Sequence, residues 1–428
     1  MTTVRRSAAA LAATAVLLAG GAGAVAQAAP APSPAPVLPS GLYGKKDPTY
    51  DGVWRQSLAF MAQETSGVEP AEKAVAWLLG QQCDSGAFAS YRPDPAKTCD
   101  PTTMLDTNAT AVAVQALAGL DKPETEEGKT DPVTMAVQSG AAWLKGVQNK
   151  DGGWSYNPGG ASDANSTSIV ISGLAAAGEK PGAVKSSDGR TPYDALLSFA
   201  IPCDAPQGPG AFAYQPDKDG RLVANGDATA AAVLAGLGKH FQTRGAKPDQ
   251  PPTCEKGAKA TAERAARNGA SYLVTALAPT GHLDLPPMPG AAATAPQPDF
   301  GNTADAVVAL GAAGHSDKTA GAIEWLSENS AGWAAQNGPA AWAQLIFAAH
   351  TVGADTRDFG GVDLVAKLNA TGPAPRSTVE TRAQEEEDQK KEENGESSGF
   401  SVWLIIAIFL AVGMGIGFLL SGRKNRQL

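Results

Sequence analysis

Four short strings in the amino-acid sequence place an acid or an amide four residues ahead of a threonine: Asp106 with Thr110, Asp163 with Thr167, Asn225 with Thr229 and Asp299 with Thr303. Asn108, Asn165 and Asp227 stand two residues into the first three strings, and Trp154, Tyr156 and Tyr214 lie in neighbouring loops. Carboxylates and amides gathered from several helix starts, edged by aromatic rings, can rim a mouth that holds a polar ligand. The same residue types in the same places can also cap their helices, accepting first-turn backbone N–H groups for about 1 kcal/mol each. Both readings require each string to open a helix, and an Ala/Val/Leu run follows each one.

Other site chemistry finds little support. His240, His282, His315 and His350 are scattered singly, whereas a zinc site needs His and Cys at short spacings. Asp217-Lys218-Asp219-Gly220 carries turn chemistry and reads as a turn. No catalytic residue, metal or cofactor is assigned. With 428 residues, 43% hydrophobic, 18% charged and a formal charge of −9, the chain is neither collagen-like nor wholly disordered. Its body has no dense basic block, so nucleic acid is excluded as a partner.

The elements that position these residues form a repeat. Trp77-Leu78, Gln82, Gly86 and Phe88 recur at identical spacing as Trp143-Leu144, Gln148, Gly152 and Trp154. Degenerate copies are Phe199 with Gly210 and Phe212, Tyr272-Leu273 with Gly281, and Trp325-Leu326 with Gly332-Trp333. In each copy the first segment is an amphipathic helix, with Ala74, Trp77 and Leu78 on one face in the first copy. A turn follows, and then a small-residue helix that is apolar nearly all round and therefore buried on both sides. Five copies, a helix over Tyr50 to Ala62 and a last one from Gly361 to Leu368 make about twelve helices, an all-α body of six hairpins.

The Gln-x-x-x-Gly-x-Trp/Phe pattern after Trp-Leu resembles the prenyltransferase and squalene-oxidase (squalene cyclase-like) repeat family, whose domains are α/α toroids. The resemblance implies an α6/α6 toroid over residues 47–371, with Gln82, Phe88, Gln148 and Trp154 as staples between neighbouring helices. Cyclases of that family start from an Asp-x-Asp-Asp acid, and its ionising enzymes use Asp-Asp-x-x-Asp or a zinc site; none of these strings occurs. The helices from Thr229 to Leu237 and from Thr303 to Gly314 also lack aromatics to steady a carbocation. The sequence therefore reads as a toroid that binds a small-molecule or protein ligand without catalysis, resembling the cobalamin carriers in architecture alone. An isoprenoid- or terpenoid-processing enzyme with an unrecognised acid is the alternative, and a structural surface protein a second.

The ends place this body outside the cell. Residues 1–28, with Arg5 and Arg6 ahead of an apolar run and Ala26-Gln27-Ala28 after it, have the layout of a cleaved signal peptide. Residues 29–46 read as a Pro-rich mobile linker. Residues 372–399 read as a disordered charged stalk, with eight acids against three bases between Ser377 and Glu396. Residues 400–421 are long and apolar enough for one transmembrane helix, and the basic tail 422–428 stays in the cytoplasm. Cys83, Cys99, Cys203 and Cys254, an even count in an exported chain, read as disulfides. Three connectivities are open, and Cys83 with Cys99 and Cys203 with Cys254 is favoured because each pair clips a long loop next to a helix end.

Overall fold

The computed structural model describes residues 38–120, 131–247, 250–257, 261–285 and 296–376, all in the unit that begins at Leu38. The signal peptide, the transmembrane helix, the basic tail, the stalk beyond Arg376 and the linker before Leu38 lie outside these residues. Among the described residues no helix is long and apolar enough to cross a membrane.

The described residues are mostly helical, with twelve α-helices: α1 Gly52–Thr65, α2 Glu72–Gly80, α3 Thr107–Ala118, α4 Pro132–Gly146, α5 Ala164–Ala176, α6 Pro192–Ser198, α7 Gly226–Gly236, α8 Ala262–Leu277, α9 Phe300–Ala312, α10 Ala320–Asn337, α11 Pro339–Val352 and α12 Leu364–Asn369. The odd-numbered helices form a closed cycle: each packs on the next, and α11 returns to pack on α1. Nearly every residue of α3, α5, α7 and α9 beyond the first turn is buried, as expected of helices with neighbours on both sides. The even-numbered helices pack outside this cycle, α4 on α3, α8 on α7 and α10 on α9 and α11. The arrangement is compatible with an α-helical toroid.

The two ends of the chain make the sixth pair. α12 packs on α1 and α11, and Gln63 Nε2 donates to Asn369 Oδ1 at 2.7 Å. Here the boundaries read from the sequence move outward. Leu42 and Tyr43 fall within the linker expected from the sequence, yet Tyr43 is fully buried, donates its hydroxyl to the Pro373 carbonyl at 3.0 Å and receives Gln63 Nε2 at 3.0 Å. Arg376 N–H donates to the Glu69 carbonyl at 3.0 Å. Two apolar side chains inside a Pro-rich string thus dock against the body, with Leu42 and Tyr43 both buried.

Both repeated glutamines fold back on their own turns, and Gln82 also reaches the next repeat. Gln82 Nε2 donates at 2.9 Å both to the Gly86 carbonyl in its own turn and to the Ala136 carbonyl of α4, and Gln148 Nε2 donates to the Gly152 carbonyl at 2.8 Å. Gly86 and Gly152 have φ near +90°, and a Cβ on either would lie within 2.3 Å of the Ser139 or Thr191 carbonyl oxygen of the next repeat. Glycine is required there by conformation and by contact. In the fifth copy α10 runs straight through Gly332 and Trp333, where the sequence suggests a turn. Ser330 occupies the position of Gln82 and Gln148, no side chain folds back on the glycine carbonyl, and Trp333 instead stacks on Phe300 from within the helix, 5.4 Å centroid to centroid.

The strands are part of the same repeated connection. β1 Phe212–Pro216 pairs with β2 Leu222–Asn225, and β3 Leu283–Asp284 with β4 Pro298–Asp299, while Ala89 and Leu105 form the equivalent isolated bridge. The turn between β1 and β2 is the Asp217–Gly220 string, in which Gly220 N–H donates to the Asp217 carbonyl at 2.9 Å.

Disulfides join Cys83 to Cys99 and Cys203 to Cys254, 16 and 51 residues apart. Loop-closure entropy scales with the loop, so the C203S/C254S pair of substitutions is expected to cost about 4 kcal/mol and C83S/C99S about 3 kcal/mol. Urea unfolding of the two double variants checks the order.

Candidate functional site

The four strings cap their helices. Asp106 Oδ1 accepts from Ala109 N–H at 2.8 Å, Asp163 Oδ1 from Ser166 N–H at 2.7 Å, Asn225 Oδ1 from Ala228 N–H at 2.8 Å and Asp299 Oδ1 from Asn302 N–H at 3.1 Å. The threonine four residues on locks the preceding loop. Thr110, Thr167, Thr229 and Thr303 Oγ1 accept the backbone N–H of Phe88, Trp154, Phe212 and Leu283, at 2.9 to 3.1 Å. These acids and threonines thus serve the scaffold.

Equivalent helix starts bring equivalent positions to the centre of the cycle. Counting from the cap, positions 2, 5, 6 and 9 share one helical face, and on α5 these are Asn165, Ser168, Ile169 and Ser172. On α7 they are Asp227, Ala230, Ala231 and Leu234. All eight line one cavity of about 240 Å³, together with Asn108 of α3, Asp305 of α9, Trp54 of α1, and His240 and Phe241. Five odd-numbered helices therefore contribute to the wall of one lumen.

Asp305 is the residue that sequence reading missed. α9 has Gly301 at position 2, and a Cβ there would come within 3.3 Å of the Gln344 side-chain amide. The space admits Gln344 from α11, whose Nε2 donates to Asp305 Oδ2 at 3.0 Å. Asp305 stands one turn along, at position 6, enclosed by protein yet partly open to the lumen. Burial, reinforced by the nearby charge of Asp227, pushes its pKa up to about 8. Burial also raises Asp227, against the hydrogen bond from Asn165 Nδ2 to Asp227 Oδ2. The available signal was that Asp305 is the lone acid in the run from Thr303 to Gly314: such a carboxyl must be paired or protonated.

Four buried oxygens around this cavity have no hydrogen-bond partner: Asn108 Oδ1, Asn165 Oδ1, Ser168 Oγ and Asp305 Oδ1. Ser168 is only 2% exposed. Most buried polar atoms in folded proteins are paired, so four unpartnered oxygens on residues that line one space leave a place for a polar guest, ligand or water.

The loop after α7 floors the lumen. Ser172 Oγ donates to the Lys239 carbonyl at 3.2 Å and Gln242 Nε2 to Glu64 Oε2 at 2.8 Å, while Gly245 and Ala246 N–H reach the Thr351 and Gly311 carbonyls. Phe241 stacks on Phe347 at 5.7 Å. His240, held neutral by burial and by Lys239, faces both the lumen and a second cavity of about 460 Å³ beyond the loop, which Glu64, Arg244 and His350 also line.

Of the residues singled out in the sequence, Asn108, Asn165 and Asp227 meet in the lumen and Asp106, Asp163, Asn225 and Asp299 are caps. Trp154 is not on a rim. It is buried and donates Nε1–H to the Leu144 carbonyl at 2.8 Å, because the repeat turns that ring into the interface between α4 and its own loop. Tyr156 and Tyr214 are about two-fifths exposed and lie outside the lumen lining. The Tyr156 hydroxyl is 3.4 Å from Ser90 Oγ, which donates to Asp106 Oδ2 at 2.7 Å. Among the described residues no three of His, Cys, Asp and Glu gather to hold a metal ion.

No family model matches the chain, and no curated protein matches it. Among solved structures, the chain is similar to a protein from Actinoplanes at 17% identity and a TM-score of 0.45, covering 73% of this chain and 80% of that one. It is similar also to the type II terpene cyclase MstE from Scytonema in its apo form, at 17% identity and a TM-score of 0.28, covering 63% of this chain and 78% of that one.

Proposed function

We propose that the chain is an exported α6/α6 toroid, held at the outer face of a membrane by one C-terminal span, that captures a small ligand in the lumen of its ring without catalysis. The observation that carries this reading is that four residues lining one cavity, on α3, α5 and α9, each hold a buried oxygen without a partner. At about 240 Å³ it exceeds the roughly 150 Å³ space that holds a benzene molecule and falls below drug-sized sites, which start near 300 Å³. The ligand is correspondingly small. Ala231 lines the cavity, and Ala231→Phe should fill it. Native mass spectrometry of the purified chain is expected to find a small non-covalent guest on the parent and none on this variant, with unchanged helicity by circular dichroism. A guest retained by Ala231→Phe would contradict a lumen site.

A second reading, an isoprenoid-processing enzyme, is supported by Asp305, the unrecognised acid that reading requires. That carboxyl holds a proton it would give to an alkene carbon, leaving a carboxylate that recovers a proton when the final cation loses one, although its raised pKa makes it a weaker donor than an ordinary aspartic acid. Incubation with isoprenoids of five and ten carbons, the size a space of about 240 Å³ admits, decides it: turnover abolished by Asp305→Asn would replace capture by catalysis.

A further inference from the structure

The donor and acceptor balance of the lumen narrows the class of ligand. Its polar lining carries the unpartnered side-chain carbonyl oxygens of Asn108 and Asn165, the Ser168 hydroxyl and the carboxyl groups of Asp227 and Asp305, with the Trp54 indole, the Asn108 amide and His240 beside them. Asn165 spends an amide N–H on Asp227. No lysine or arginine lines the cavity, and His240 is held neutral by its burial. The acceptors thus face a space that no protein cation enters. An ammonium head supplies three N–H donors and no acceptor, and its single positive charge offsets one carboxylate. A neutral polyol brings as many acceptors as donors and no charge to set against an ionised carboxylate. Ile169, Leu234 and Phe241 supply apolar lining in the same cavity.

We propose that the lumen takes a small primary ammonium ligand, its head among Asp227, Asp305, Asn108 and Asn165 and its short carbon body against Ile169, Leu234 and Phe241. This rests on the reading of the lumen as a ligand site. The proposal carries a proton-linked signature. The charges that act on Asp305 are those of Asp227 and Asp299, both negative when ionised, and a bound ammonium reverses the local field. Asp305 then gives up its proton on binding at pH 7, at which it is otherwise held protonated.

Isothermal titration of the full chain with hexylamine and with 1-hexanol, in two buffers of different ionisation enthalpy, tests the inference. Hexylamine is expected to bind at least tenfold more tightly than hexanol and to release close to one proton at pH 7. Asp305→Asn, which keeps an acceptor for Gln344, is expected to abolish the proton release and weaken hexylamine at least tenfold. Asp227→Asn should weaken it similarly, and Ala231→Phe should abolish binding. Equal affinity for amine and alcohol without proton release, both lost in Ala231→Phe, would overturn the ammonium class while leaving a lumen site. Failure of hexylamine to bind also overturns it, and the co-purified guest then judges the lumen reading by itself.

Discussion

Asp305→Asn is expected to be more stable than the parent at neutral and alkaline pH, by a margin that grows by about 1.4 kcal/mol per pH unit between roughly pH 4 and pH 8. The unfolded carboxyl ionises near its ordinary value of 3.8, whereas the folded one holds its proton to about pH 8. Below pH 4 both states are protonated and the group adds no slope. Between the two values the unfolded state binds one proton fewer, so the parent loses stability as pH rises; above pH 8 the loss is complete. Asparagine does not titrate and removes that slope while leaving an oxygen for Gln344 Nε2. Urea midpoints of both proteins at intervals from pH 4 to pH 9 read the effect, and parallel profiles would mean that Asp305 is not held protonated in the folded ring.

The largest loss from one packing residue is expected at Trp154. Its indole is fully buried, its N–H donates to the Leu144 carbonyl at 2.8 Å, and its backbone N–H donates to Thr167 Oγ1 at 3.1 Å. Trp154→Ala should cost about 3–5 kcal/mol through the cavity it leaves. Trp154→Phe should cost much less, because Phe88 fills the equivalent place in the first repeat and is equally buried. Truncating Tyr156, two-fifths exposed, should stay within about 0.5 kcal/mol and leave ligand capture intact. Urea unfolding checks all three, and a large effect of Tyr156→Ala on capture would restore the rim as the site.

The scaffold was legible because its residues obey local rules repeated at fixed spacing. A cap acid or amide four residues before a threonine performs the same hydrogen bonding in four copies, and Gln four before a positive-φ glycine does so in two. The strands escaped notice because they are only the paired ends of those connections. The lumen was half legible. A helix that is apolar nearly all round has no hydrophobic periodicity to say which face turns to the centre, so only polar exceptions mark it. Asn108, Asn165 and Asp227 drew attention by sharing one register after the cap. Asp305 broke that register, because Gly301 had ceded its space to Gln344. The floor of the lumen, from His240 to Ala246, joins residues far apart in sequence through backbone hydrogen bonds, which no local pattern announces.

The central claim is that the space inside the ring is a binding site and not a solvated gap in packing. Electron density inside the lumen, in a crystal structure of the chain purified from cells that produce it and resolved well enough to show ordered water, tests this most directly. The account predicts one connected molecule touching Asn108 Oδ1, Asn165 Oδ1, Ser168 Oγ and Asp305 Oδ1. Separate water molecules satisfying all four oxygens, or side chains filling the space, would contradict it.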